Sequence, residues 1–219
     1  MSKENNIFLF RIVKSFLYFS LLLVLFVLVR LFFVPNWRIL FLVWNLLLAW
    51  IPLLISIWLY VSFKKNIYSQ SIAIIAWLIF LPNAPYLLTD FFHFTAEYNL
   101  PLWYDLIMFS GLAFVGLCLG FVSIFLVEEF FKKITTPKVA TTLIFIFIFL
   151  TSFGVYFGRY LRRNSWDVLS SPILVAGDLA NAVLGRNSFQ AMGMTGMLFL
   201  FLLFGYGLFR TLLGNKNKV

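Results

Sequence analysis

The residues able to do chemistry gather in two stretches, Asp90 to Asp105 and Arg159 to Asp167. On a helix, Asp90, His93 and Glu97 fall at i, i+3 and i+7, within an arc of roughly 60°. An acid, an imidazole and a second acid form a ligand set suited to zinc or manganese, so Asp90 and His93, the sole histidine, are metal candidates. The same three side chains equally suit the solvated face of a helix at a membrane surface. Glu97 is the weakest of them, because Asn99 and Pro101 signal a turn. Trp103-Tyr104-Asp105 then opens an apolar run, where aspartate complements a helix N-terminus or joins Asp90 at the mouth of a cavity. Arg159, Arg162 and Arg163 follow i, i+3, i+4 spacing, which puts three guanidinium groups on one face of a continuing helix. Such a face binds a phosphate, a carboxylate or lipid headgroups, or it pairs internally with Asp90, Asp105 and Asp167. Internal pairing is the first expectation. With Asn83, these eight residues (Asn83, Asp90, His93, Asp105, Arg159, Arg162, Arg163 and Asp167) are the candidate ligand-binding set.

The elements that must position them are dictated by composition. Of 219 residues, 63% are apolar and 11% charged, against roughly 45–50% and about 25% in soluble domains. The mean hydropathy is +0.98. Six runs have spanning length, given that each span needs about 20 mostly apolar residues: 12–34, 39–63, 70–88, 106–127, 139–158 and 193–213. Little chain remains for a soluble domain. The expectation is therefore one all-α integral-membrane domain over residues 1–219, with the lipid bilayer as its main partner.

The net charge of +9 does not point to nucleic acid, because the basic residues stand in small groups at the ends of apolar runs. With the N-terminus in the cytoplasm, 11 of 17 basic residues lie inside, and only Arg30, Arg38, Arg159, Arg162, Arg163 and Arg186 lie outside. Both termini are thus expected in the cytoplasm. On this topology Asp90, Glu97, Asp105, Asp167 and Asp178 are outside, so the outer face is nearly charge-balanced. The segments from Phe63 to Ser69 and from Glu128 to Lys138 then read as short basic connectors. Lys3, Arg11 and Lys14 precede the first run as in a signal peptide, but no small-residue cleavage site follows, so the first span is expected to stay uncleaved. A single cysteine, Cys118, excludes an intrachain disulfide.

Span three contains Phe80-Leu81-Pro82-Asn83-Ala84-Pro85-Tyr86, and two prolines three apart disfavour an unbroken helix. The break falls about 18 Å into a core roughly 30 Å thick. It either lines a cavity or is a kink closed by neighbouring helices. Asn45, Asn83, Thr151, Ser152 and Arg30 lean toward the same side, as cavity-lining or interhelical groups. Gly116/Gly120 and Gly154/Gly158 form small-xxx-small pairs that permit close helix approach. Pro172 at a helix start and Gly185 at its end bound a short interfacial helix on the outer face, with an apolar stripe of Ile173, Ala176, Ala180, Val183 and Leu184.

The combination FLPNAPYLLTD at Phe80 to Asp90, His93, WYD at Trp103 to Asp105, and GRYLRRNSWD at Gly158 to Asp167 resembles an uncharacterised family of bacterial integral membrane proteins. The likeness runs from about span two to span six. It implies a bacterial cytoplasmic-membrane location and the grouping of these residues, and it supplies no activity and no cofactor. Function is then weighed among three readings. The first is a small-ligand binding or transport component with an outward-facing polar site, alone or with other membrane subunits. The second is an extracytoplasmic enzyme acting on a lipid-linked or phosphate-bearing substrate, and the third a structural or assembly subunit. No G-x-S-x-G, H-E-x-x-H or nucleotide-binding loop favours catalysis or energised transport.

Overall fold

A computed structural model describes residues 3–62, 66–93, 101–161, 170–185 and 188–214. Among these, the chain is helical throughout: α1 (Lys3–Phe33), α2 (Phe41–Val61), α3 (Ile67–Phe80), α4 (Asn83–Thr89), α5 (Leu102–Ile134), α6 (Pro137–Tyr160), α7 (Pro172–Leu184) and α8 (Ser188–Gly214). Short 3-10 turns at Trp37–Leu40 and Asp90–His93 precede α2 and follow α4. Six segments are long and apolar enough to cross a membrane: Leu9–Phe33, Trp37–Val61, Ile67–His93, Leu102–Ile134, Pro137–Tyr160 and Ser188–Leu212. The protein is a multi-pass membrane protein. Six crossings bring the start of α1 and the end of α8 to one end of the bundle, and Arg30, Asp90, Asp105 and Arg159 to the other.

α5 is the central helix. One face packs with α1, α2 and α4 through Leu23, Val27, Leu46, Leu87, Leu112 and Leu119. The other packs with α3, α6 and α8 through Trp77, Ile124, Phe130, Ile148 and Leu202. Lipid tails are as apolar as these side chains, so close packing and polar contacts hold the helices together, not burial from water.

Span three is interrupted where the prolines require it. Pro82 stands before α4 and Pro85 in its first turn, where a backbone N–H has no intrahelical partner to lose. Ala84 donates its backbone N–H to Leu81 at 3.1 Å and Tyr86 to Pro82 at 3.0 Å, while Asn83 Nδ2 caps the Phe80 carbonyl at 2.9 Å. The neighbours close the break. A Cβ at Gly116 would lie 2.5 Å from the Ala84 carbonyl oxygen, one at Gly120 3.2 Å from Ala84 Cβ, and one at Gly154 2.5 Å from Pro82 Cγ. The glycines of α5 and α6 therefore seat α4 itself, and the interrupted backbone meets protein where a cavity was one expectation.

One further expectation changes. The segment from Glu128 to Lys138 is no connector: α5 continues to Ile134 because its buried stripe runs on through Phe130 and Phe131, with Lys132 and Lys133 suiting the last turn. Only Thr135 and Thr136 separate it from α6, whose first turn has Pro137 and is capped by the Thr136 hydroxyl accepting from Val139 N at 3.4 Å. In α7, Ile173 and Ala180 are exposed and Ala182 is buried beside Tyr156 and Ala191.

Candidate functional site

Asp90 is fully buried at the end of span three. Hydrocarbon tolerates a carboxylate poorly, so its partners are informative. Asn45, one turn after the buried Leu42 on α2, donates Nδ2 to Asp90 Oδ2 at 3.0 Å and to Oδ1 at 3.3 Å. From the end of α6, Arg159 brings Nη1 to 3.6 Å from Asp90 Oδ1. Its Nη2 donates to the Thr89 carbonyl at 2.5 Å, and Nη1 donates to the Tyr86 hydroxyl at 3.4 Å. The guanidinium carbon lies 5.6 Å from the Tyr86 ring centre and 5.0 Å from that of Phe92, within cation–π reach of both. His93 is exposed, rests against Phe41 with ring centres 4.9 Å apart, and turns Nε2 to 3.2 Å from Arg159 Nη1.

An arginine cannot accept a hydrogen bond, so a hydrogen bond at this contact requires the imidazole tautomer in which Nε2 is the acceptor. Both expected metal-ligand atoms, Asp90 Oδ1 and His93 Nε2, thus face one guanidinium nitrogen. Among the described residues no group of three His, Cys, Asp or Glu side chains gathers. Glu97, Arg162, Arg163 and Asp167 lie outside the described residues.

Asp105 does not join this cluster. It is buried in the first turn of α5 and receives Arg30 through two parallel contacts, Nε to Oδ1 at 2.8 Å and Nη2 to Oδ2 at 3.1 Å. Both side chains are 4% exposed. Beside them Tyr104 donates its hydroxyl to the Phe26 carbonyl at 2.8 Å. Asn83 is engaged at the helix break, and Thr151 and Ser152 bond back to Phe147 and Ile148 on their own helix at 2.7 and 2.9 Å. So of the eight candidates, Asp90, His93 and Arg159 meet, while Asp105 and Asn83 are held elsewhere.

Sequence reading identified Asn45 only as a polar residue in a span, and it passed over Tyr86 despite its place in the proline motif. It also missed a polar cluster at the opposite end. Glu128 is fully buried and accepts from the Tyr206 hydroxyl, with Arg210 Nη2 2.6 Å and Lys132 Nζ 3.1 Å from its Oε1. The available signal was the i, i+4 pair Tyr206 and Arg210 facing an acid flanked by Val127, Phe130 and Phe131.

Neither a curated protein nor a solved structure matches this chain. A family model does match, over residues 44–204, a stretch that includes Asn45, Asp90, His93, Asp105 and Arg159, and the chain accordingly belongs to the family described as "Protein of unknown function (DUF1361)".

Proposed function

We propose that this protein binds a small anion, a carboxylate or a phosphate-bearing ligand, at the Asp90–Arg159 end of the bundle. On this reading that end faces outward from a bacterial cytoplasmic membrane and both termini are cytoplasmic. The observation that carries it is the way Arg159 is held. Among the described residues its one carboxylate contact is monodentate at 3.6 Å, and its other polar contacts are to a carbonyl, a phenol and the exposed imidazole of His93. A guanidinium matched to its counter-ion forms a shorter, two-pronged pair. Here the cation is oriented by neutral groups and keeps affinity for a second anion, while Asn45 and Asp90 hold it in place. Phe41, Phe92 and Tyr86 around it lower the local dielectric and strengthen that attraction.

A structural reading has its own support, since the cluster ties α2, α4 and α6 together. The experiment that separates them is titration of the detergent-purified protein with sodium sulfate by calorimetry, comparing the native chain with Arg159→Gln. Binding by the native chain, lost in a variant that purifies with normal yield, supports the ligand site. Absence of binding together with a collapsed yield supports the structural lock. The orientation is tested separately. Cysteines at Asn99 and Ser188 should react with impermeant reagents in intact cells, and a phosphatase reporter on the C-terminus should be inactive.

A further inference from the structure

The span that carries Asn45 brings a second guanidinium to the same end of the bundle. Arg38 lies in the 3-10 turn Trp37–Leu40, which runs directly into α2. Residues three apart eclipse in such a turn, so Arg38 shares a face with Phe41 about 6 Å farther along the axis, and Asn45 follows Phe41 by one α-helical turn. Phe41 meets the His93 ring at 4.9 Å and Asn45 bonds to Asp90, so this face of the span is the one turned to the polar site. Arg38 is exposed, and among the described residues no carboxylate pairs with it. The span therefore sets a cation without a counter-ion one turn beyond the place where His93 Nε2 and Arg159 Nη1 stand 3.2 Å apart.

Charge and depth together select the ligand. The two oxygens of a carboxylate fill one guanidinium fork, whereas a phosphate monoester offers three terminal oxygens and about two negative charges, enough for two forks. As to depth, the span Trp37–Val61 starts and the span Ile67–His93 finishes at this level. Trp37, beside Arg38, and Phe92, beside His93, are 74% and 68% exposed. Exposed rings at span ends mark the headgroup level of a bilayer. The Phe92 ring centre is 5.0 Å from the Arg159 guanidinium carbon, so apolar surface leads outward from the cation. An anion dissolved in water gains nothing from that surface, and the chain of an amphiphile does. In an inference that rests on the anion reading of the Asp90–Arg159 end, we propose that its ligand is a phosphate-headed amphiphile of the adjoining leaflet, with the phosphate between Arg159 and Arg38 and the chain against Phe92.

Calorimetric titration of the detergent-purified chain with methyl phosphate and with hexyl phosphate tests both the head and the chain. The two probes share one head and differ only in chain length, and each methylene buried is worth about fourfold in affinity. Hexyl phosphate should bind about tenfold or more tightly than methyl phosphate, a gain that two covered methylenes suffice to give. Arg38→Gln removes charge-assisted hydrogen bonds to the head and should weaken both probes by about tenfold or more, at an unchanged melting temperature. Arg159→Gln should abolish binding of both, which separates the site from entry of hexyl phosphate into detergent. Phe92→Ala should bring the two affinities together; loss of its contact with Arg159 acts on both probes alike and leaves their ratio unmoved. Equal affinity for the two probes in the native chain overturns the proposal and assigns the site to a water-borne anion. A hexyl advantage that persists in Arg159→Gln overturns it as detergent partitioning, and native affinity in Arg38→Gln overturns the seat between two arginines. If methyl phosphate, hexyl phosphate and sulfate all fail to bind, the anion reading of the site falls with it.

Discussion

Two arginine–aspartate pairs occupy the same end of the bundle and are built differently. Arg30 and Asp105 join α1 to α5 through a two-pronged contact at 2.8 and 3.1 Å, sealed at 4% exposure on both sides. Arg159 and Asp90 join α6 to the end of span three through one contact at 3.6 Å, and the gap between them is filled by Asn45, Tyr86, the Thr89 carbonyl and the exposed His93. The first geometry is what a guanidinium and a carboxylate adopt when nothing else competes for them. In the second, the carboxylate and the guanidinium each have other partners. A pair that is complete in itself suits the fastening of two helices, whereas a pair held by neutral intermediaries can accept a further charged group without being dismantled.

The comparison breaks most visibly at the fastening pair. Asp105→Ala leaves Arg30 buried without a counter-ion, and its Nη1 already has no hydrogen-bond partner among the described residues. Removing one member of such a pair costs about 3–5 kcal/mol. We expect a large loss of membrane yield and of melting temperature in detergent. The double variant Arg30→Met with Asp105→Leu should recover most of the loss, since well-packed apolar replacements of both partners are near neutral or stabilising. A single variant of native stability would show that the pair fastens nothing.

Next in size is the seat of α4. Gly116→Ala puts a methyl group where the Ala84 carbonyl oxygen stands 2.5 Å away and Leu87 Cδ1 2.7 Å away. Backbone cannot yield as a flexible side chain does, so the overpacking costs about 1–3 kcal/mol. Because α4 leads directly into Asp90, the displacement should weaken sulfate binding as well as lower melting temperature. Gly120→Ala, whose methyl meets Ala84 Cβ at 3.2 Å, should do less of both. If Gly116→Ala lowered stability and left sulfate affinity unchanged, the position of α4 would be irrelevant to the site.

How much of this was legible in the sequence follows from the range of the forces involved. Hydropathy and proline are local, so the six spans, the interruption at Pro82 and the capping of α7 by Pro172 and Gly185 could be read directly. Which arginine meets which aspartate is set by helix rotation and depth, so the sequence grouped Asp90, Asp105 and Arg159, while the structure gives Asp105 to Arg30 seventy-five residues away. The length of α5 was misjudged for a related reason. Glu128 and Glu129 look like the start of a solvated connector until Tyr206 and Arg210 are brought across from α8. The glycine pairs announced close approach but could not name the helix that arrives, which is the broken half of span three.

The smallest effect on stability, and the sharpest on the comparison, is expected at His93. It is exposed, and its contacts to Phe41 and Arg159 are single ones, so His93→Gln should change stability by less than about 1 kcal/mol. Its effect on binding should be graded. Nε2 stands 3.2 Å from Arg159 Nη1, beside the contacts of that guanidinium to the Asp90 carboxylate, the Tyr86 hydroxyl and the Thr89 carbonyl. Losing one orienting contact of about 1 kcal/mol weakens binding by up to about tenfold, so sulfate titration should show weaker binding by His93→Gln at a melting temperature close to native, where Arg159→Gln shows none. Unchanged sulfate affinity in His93→Gln would mean that the imidazole takes no part in the site. A melting temperature lowered as far as in Asp105→Ala would make the second pair a fastening like the first.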